Sequence, residues 1–487
     1  MKKRKILIAS ILAALLAGCT IGPDFQHAPS TRASTWNAPL PHGGDTVALL
    51  QWWSGWNDQA LVVLIAQAER ENPTIAQAAA RIGLARATVR AQTALLLPAF
   101  DGKASDIRSK GDMNFFPADP SLSESERTRT RSAAIDTAWE LDLFGGGRRA
   151  RQAARARASA RDADWHDARV SIAAEVANQY VNLRTCEVLL TGYEIDAKSR
   201  SETARLIDLK TQAGFEAPAN AALSQASASE ASARHIQQAA ECDVIVKALA
   251  ELTALPEPNL RATLADGKAR IPMPQGFPLQ QIPAEALSQR PDLAAAEADL
   301  AASMADIGVA MADRLPRLSL TGSIGYSAFS TRGLPDGSTW SWGPALLVPI
   351  FDFGRRAANV DGARARYEEA LASYRAKALR AVREVEEALV RLDSATRREA
   401  DANAALRGYE KYLTAAEARL RVGAGSVPEL EEARRTVVAS QAASIGVARE
   451  RLTAWIALYK SIGGGWGAAT PSAASPSPTT STALAKN

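Results

Sequence analysis

Residues 367–420 read YEEALASYRAKALRAVREVEEALVRLDSATRREADANAALRGYEKYLTAAEARL. Steps of four, three, four, three from Tyr367 reach Leu371, Tyr374, Ala378, Ala381, Val385, Ala388, Leu392, Ala395, Glu399, Ala402, Leu406, Tyr409, Leu413, Ala416 and Leu420, and Glu399 is the only charge on that line. An apolar period of 3.5 residues is a heptad seam and predicts a left-handed supercoil. Leu379, Val382 and Leu389 lie beside the seam, so over part of its length the helix can touch a neighbour on each side. No proline interrupts it from Gly354 to Val427. At about 1.5 Å per residue this is a rod of roughly 100 Å, far longer than an ordinary globular helix. Val422-Gly423-Ala424-Gly425-Ser426-Val427-Pro428 breaks it, and a second helix returns through Trp455.

The same hairpin occurs upstream. Arg148 to Gln212 is free of proline, Gly214-Phe215-Glu216-Ala217-Pro218 breaks it, and Ala219 to Leu255 returns. Gly214 lies 209 residues before Gly423, and Glu175-Val176 lies 209 before Glu384-Val385. Pro73 and Pro98 are 25 apart, as are Pro291 and Pro316, each displaced by 218. Repetition on this scale predicts two structural halves with one architecture. The first repeat covers 58–255, with a β-hairpin at about 99–143 and a helical hairpin at about 148–255; the second covers 282–460, with a β-hairpin at about 317–350 and a helical hairpin at about 354–460. A proline-rich linker (256–281) joins them, and 461–487 reads as a low-complexity tail.

Before each long hairpin the period falls to two. Leu318, Leu320, Gly322, Ile324, Tyr326 and Ala328 alternate with Ser319, Thr321, Ser323, Gly325 and Ser327. Trp340, Trp342, Leu346 and Val348 alternate more loosely, and Ile135, Thr137, Trp139, Leu141 and Leu143 alternate with Asp136, Ala138, Glu140 and Asp142. Phe100 to Ile107 carries the weakest pattern. Strands of about ten residues, apolar on one face and small or polar on the other, are what a transmembrane barrel needs. A soluble half-buried hairpin is the other reading. Lipid tolerates no open sheet edge and the smallest single-chain barrels have about eight strands, so four strands per chain require several chains. Three copies supply twelve strands and twelve helical staves.

Composition excludes more than it assigns. The 487 residues carry a formal charge of +4, too balanced to suggest nucleic acid, and three cysteines are too few for a disulfide scaffold. His27, His42, His166 and His235 lie in no metal-ligand spacing. Gly145-Gly146-Gly147-Arg148 lacks the Lys-Ser/Thr of a phosphate loop and reads as a flexible strand-to-helix junction. No catalytic residue, metal or cofactor is expected, and the chain does not read as an enzyme. Arg148, Arg149, Arg151, Arg155, Arg157 and Arg161, with Arg355, Arg356, Arg364 and Arg366 as a thinner copy, crowd helix starts where the dipole disfavours cations. They are expected to meet anionic lipid headgroups; a solvated charged face is the alternative.

Lys2-Lys3-Arg4-Lys5 and the apolar run Ile6 to Ala17 form a secretory signal, too short to span a bilayer. It ends Leu16-Ala17-Gly18-Cys19 and resembles a bacterial lipoprotein signal, which implies removal of 1–18 and acylation of Cys19, palmitate included; an ordinary signal with a chance cysteine is the alternative. Thr20 follows rather than the Asp that retains lipoproteins in the inner membrane, which favours the outer membrane. Residues 19–57 read as an extended segment, and Asp58 as the N-cap of a short helix ending near Asn72-Pro73.

Taken in order, these stretches resemble the outer-membrane factors of tripartite efflux and secretion systems, the TolC-like proteins, and within them the lipidated NodT-type branch. The resemblance is carried by Gly22-Pro23-Asp24-Phe25, Trp56-Asn57-Asp58, Asn72-Pro73, Ile307-Gly308-Val309-Ala310, Leu315-Pro316, Leu318 to Tyr326, Val348-Pro349-Ile350-Phe351-Asp352, Gly354-Arg355-Arg356 and the tips Gly214 and Gly423. It implies a mainly α chain with a membrane β part: a trimeric twelve-stranded β-barrel continuous with a long α-helical coiled-coil barrel, two internal repeats per chain. It further implies a homotrimer in outer-membrane lipid that docks a periplasmic adaptor (membrane fusion protein) and an inner-membrane pump of the resistance-nodulation-division (RND) type. Small-molecule efflux is the expected function; type I protein secretion and a structural coiled-coil envelope lipoprotein are the alternatives.

Two sites follow. The tips are expected to contact the adaptor and form the gate through Ala213, Gly214, Phe215, Val422, Gly423 and Ala424, with Asp208, Lys210, Arg419, Arg421 and Glu429 near enough to add a ring of charge. A plain helical turn is the alternative. Cys186 and Cys242 each lie 28 residues from Gly214, at matching heights of an antiparallel hairpin, and are expected to form a disulfide in the oxidising periplasm. The alternative is two buried thiols.

Overall fold

A computed structural model describes residues 20–26, 52–112, 125–274, 287, 289–329 and 336–464. The signal segment, Cys19, parts of the linker and the tail lie outside them. In chain order the described elements are α1 (Gln59–Glu71), α2 (Pro73–Ala94), β1 (Ala99–Asp112), β2 (Ser125–Leu141), α3 (Gly146–Gln212), α4 (Pro218–Thr253), α5 (Glu257–Ala265), α6 (Pro291–Ala312), β3 (Arg317–Phe329), β4 (Gly337–Leu347), α7 (Arg355–Arg421) and α8 (Val427–Ser461). They divide into two units, one of 1–29, 79–162 and 295–376, the other of 30–78, 163–294 and 377–487.

The first unit is built on an antiparallel sheet in the order β1-β2-β3-β4. Its register sets Phe100 opposite Thr137, Ile135 opposite Ile324, and Ile324 opposite Trp340. Because strand side chains alternate, one face collects Phe100, Ile135, Ile324, Tyr326, Trp340, Trp342 and Leu346. The other collects Asp101, Lys103, Ser105, Ser132, Asp136, Ser323 and Ser341. Leu143 and Val348 fall beyond the strand ends, where the backbone leaves the ladder. Beyond the strand ends, α3 and α6 meet through Ala153, Ala302 and Ala305, small enough for close helix approach. Arg161 to Asp299 at 2.7 Å and Arg157 to Asp306 add ion pairs across that contact.

The second unit is a helical stack with a continuous apolar core that includes Leu61, Leu64, Val176, Tyr180, Leu249, Leu260, Leu389, Leu392, Ile456 and Leu458. The seam of α7 supplies much of it: Ala378, Ala381, Val385, Ala388, Leu392 and Ala395 are buried. Leu389, beside the seam, is buried too, whereas Leu379 stays 62% exposed. Local chemistry fixes the short helices. The Asp58 carboxylate accepts from Leu61 N at 3.2 Å and from the Tyr180 hydroxyl at 2.7 Å, so the cap of α1 also ties it to α3. Asn72 accepts from Thr74 N at 2.9 Å, donates to Leu252 O at 2.8 Å, and precedes the proline that opens α2. In the α3–α4 hairpin, Cys186 and Cys242 are joined, Sγ–Sγ 2.07 Å with Cα atoms 5.7 Å apart.

Candidate channel face, helix starts and tips

The polar face of the sheet is a connected wall. Lys103 Nζ lies 2.6 Å from the Asp136 carboxylate, which also accepts from Ser323 Oγ at 2.7 Å; Ser105 and Ser132 hydroxyls pair at 2.8 Å. A surface of hydroxyls and locally neutralised charge suits a water-filled lumen, while the aromatic and aliphatic face suits lipid. Among the described residues of one chain β1 and β4 each keep an unpaired edge, and neither edge can stand in lipid alone.

At the sheet-to-helix junctions the two repeats use one device. Asp142 accepts from the backbone of Gly147 and Arg148 at 3.0 and 2.8 Å, and from the Arg148 guanidinium at 3.2 Å. Asp352 accepts from the backbone of Gly354 and Arg356 at 3.2 Å each, and from the Arg356 guanidinium at 2.9 Å. A carboxylate at each N-terminus satisfies orphan amides and complements the dipole, and the arginine then pairs with the carboxylate. Desolvation pushes the Asp352 carboxyl up, but Arg356 and the amides outweigh it and hold it below the ordinary value. Part of the arginine run expected at headgroups is thus held by carboxylates of the chain itself. Arg149 is 3% exposed; Arg148 and Arg356 pair with the capping carboxylates, and Arg157 and Arg161 with Asp306 and Asp299 of α6.

Arg149 does something the sequence did not signal. It donates to Ile21 O at 3.3 Å, Gly22 O at 3.0 Å and Asp24 Oδ1 at 2.8 Å, while Ile21 N donates to Phe144 O at 3.1 Å. Gly22 has φ +102°, and a Cβ there would stand 2.6 Å from Gly308 Cα. Two stretches quoted separately above, around Gly22 and Gly308, are therefore one contact. It fixes the chain right after Cys19 against the start of α3.

At the helical tips Gly214 and Gly423 hold φ of +78° and +77°, the left-handed values that close each turn. Phe215 N donates to Lys210 O at 2.8 Å and Ala424 N to Arg419 O at 2.9 Å, the same pattern in both repeats. Phe215 and Val422 are 84% and 78% exposed. The structure brings Lys210, Ala213, Phe215, Leu420 and Arg421 to one groove of about 620 Å³. Arg419 is instead paired with Glu429 at 2.7 Å, and Asp208 accepts from Gln212 at 2.6 Å. Glu216, at the turn, is held below the ordinary carboxyl value by the Asn220 side chain and the Ala217 amide.

Above the tips lies a buried polar cluster that sequence reading missed. Arg200, 6% exposed, bonds Asp196 at 2.9 Å and also Ser227 and Glu431, itself 3% exposed. Arg434 reaches Glu431 at 3.2 Å, Ser199 at 2.8 Å and Thr203 at 3.0 Å. It cross-links α3, α4 and α8, that is, both hairpins. In sequence Asp196 and Arg200 look like an ordinary surface pair four residues apart.

No group of metal-ligating side chains occurs among the described residues, and no described helix is long and apolar enough to cross a membrane. The model of the outer membrane efflux protein family matches residues 64–255 and 282–464, one match per repeat. The chain is 28% identical to the solvent efflux pump outer membrane protein SrpC of Pseudomonas putida over 93% of this chain and 96% of that one. It is 29% identical to nodulation protein T of Rhizobium leguminosarum bv. viciae over 96% of this chain and 95% of that one. Its fold matches the solved outer-membrane channel OprN with a TM-score of 0.81 and 30% identity, covering 92% of this chain and all of that one. The mainly α, two-repeat architecture with a membrane sheet is the one expected from the sequence, and the chain belongs to the outer membrane efflux protein family.

Proposed function

We propose that this chain is the exit duct of a tripartite efflux system. It works as a homotrimer anchored through an acylated Cys19, carrying small molecules from periplasm to exterior in partnership with a periplasmic adaptor and an RND-type inner-membrane pump. The observation that carries the reading is the sheet: four strands, one face apolar and aromatic, the other hydroxylated, with two edges that only further copies can close. The relatives named for solvent efflux support small molecules over secreted proteins. Arg149's grip on Ile21 and Gly22 supports the anchor, since it holds the residues after Cys19 beside the strand ends. The tips act by docking and opening. The exposed Phe215 and Val422 offer apolar contact to adaptor helices, and Lys210 and Arg421 leave charge at the groove.

The test is export in a host lacking its own outer-membrane duct, co-expressed with a periplasmic adaptor and an RND-type pump from the same organism. Substituting Glu at Gly214 and Gly423 places a charged side chain where nothing lies within 4 Å; the left-handed φ costs each about 1–2 kcal/mol, so trimer content is measured alongside export. Export is expected to stop. Normal export from the double variant would remove the tips from the mechanism, and no export by the native protein would remove the efflux reading.

A further inference from the structure

At its loop end the sheet carries its charge on the wrong side for a channel. Asp106 pairs across strands with Arg131, and Arg108 with Arg129. By alternation all four share the face of Phe100, Ile135, Ile324, Tyr326 and Trp340. The lumen face at the same height holds Ser105, Ile107, Thr130 and Ser132, none charged. Arg129 Nε donates to Asp106 Oδ1 at 2.8 Å, and Arg131 Nε lies 3.7 Å from the same carboxylate. Two guanidiniums thus share one carboxylate, Arg108 stands on the same face opposite Arg129, and the Arg131 side chain is 59% exposed.

Height places them. From the row of Leu141, Leu318 and Leu346 to the row of Arg131 and Ala328 is ten residues. At about 3.3 Å per residue and a tilt of about 40° that is roughly 25 Å, the height of an outer-membrane barrel's apolar band. The arginines therefore stand at the outer edge of the band, on the lipid side. Strands β2 and β3 have their helix-connected ends at the opposite edge, so in a barrel with periplasmic helices this edge faces the outer leaflet.

The geometry points to a binding site for a phosphorylated glycolipid of the outer leaflet, its phosphates taken by Arg108, Arg129 and Arg131 and its acyl chains lying on Ile135, Ile324 and Tyr326. A guanidinium fork matches phosphate oxygens two at a time, and three arginines on one face of two neighbouring strands complement a bisphosphorylated headgroup. The site rests on the sheet standing in the membrane as a closed barrel, and the experiment reads assembly separately.

Detergent-extracted protein is titrated with bisphosphorylated lipid A and with its dephosphorylated form, and both bound lipid and oligomer mass are read by native mass spectrometry. At about fivefold per arginine, Arg108→Ser/Arg129→Ser/Arg131→Ser is expected to weaken bisphosphorylated lipid A roughly a hundredfold. Arg108→Ser/Arg131→Ser leaves the Arg129–Asp106 pair intact and is expected to lose about twenty-five-fold, while the corresponding lysine variant, which keeps the charge but not the fork, falls between it and the native protein. Equal affinity of native protein and double variant, or equal affinity for the two lipids, overturns the site. A monomeric native protein would refute the assembly, and the lipid comparison would still decide the site.

Discussion

Replacing Gly22 by Ala tests the junction most sharply. The residue has φ +102°, which costs an L side chain about 1–2 kcal/mol, and its Cβ would stand 2.6 Å from Gly308 Cα, a backbone atom that cannot swing away. The segment must lift from α6, taking with it the Arg149 bonds to Ile21 O at 3.3 Å and Gly22 O at 3.0 Å. Each bond from a charged donor contributes about 1.5–3 kcal/mol, and the freed chain regains entropy, so the net loss is about 3 kcal/mol. That is roughly a hundredfold in the opening equilibrium. The assay is hydrogen exchange by mass spectrometry on the extracted protein, followed at the Ile21 amide, which donates to Phe144 O. Exchange about a hundredfold faster is expected. Gly446→Ala is the control: its Cβ meets nothing within 4 Å and its φ is ordinary, so it should stabilise α8 slightly. Unchanged Ile21 protection in Gly22→Ala would refute the account of Arg149 as the clasp on the chain after Cys19.

Three further outcomes follow from other contacts. Cys186→Ser/Cys242→Ser opens a loop of 56 residues and should cost up to about 4 kcal/mol; unreduced, thiol-blocked peptides of the native protein should carry no label at either cysteine, and label at both would exclude the bridge. Glu431→Ala leaves Arg200 buried without its inter-hairpin partner and should destabilise by about 3–5 kcal/mol in denaturant, with unchanged unfolding showing the cluster to be dispensable. Burial raises the Asp292 carboxyl, but the two-pronged Arg290 contact at 2.8 and 2.9 Å outweighs it and lowers its pKa. A depressed carboxyl stabilises above its unfolded value of about 3.9 and loses that as pH falls through the folded value, so the stability gap between native protein and Asp292→Asn should close below about pH 4; a gap constant down to pH 2 would contradict it.

Periodicity made the long elements legible. The α7 seam from Ala378 to Ala395 is buried as its spacing demands, and Leu318 to Tyr326 forms the strand its alternation implies. The first hairpin was harder to read. Arg127 to Ser132 alternates charges with hydroxyls and has no apolar face, yet it belongs to β2, held in register by Ser105–Ser132 and Arg129–Asp106. Cross-strand partners are not local, so no window of sequence displays them. The same holds for the arginines. Clustered along one helix start they look like a surface, but Asp24, Asp299 and Asp306 reach them from distant positions. Gly22 and Gly308 were each visible as part of a motif, and only the fold shows that one glycine requires the other.

Closure of the sheet is the central claim, and mass with symmetry is its most direct measurement. Single-particle images of the detergent-extracted protein, with light scattering for mass, should show three copies about one threefold axis and a closed twelve-stranded wall, β4 of one copy beside β1 of the next. A monomer retaining its β signal would contradict the account, because four strands with two open edges have no stable place in lipid.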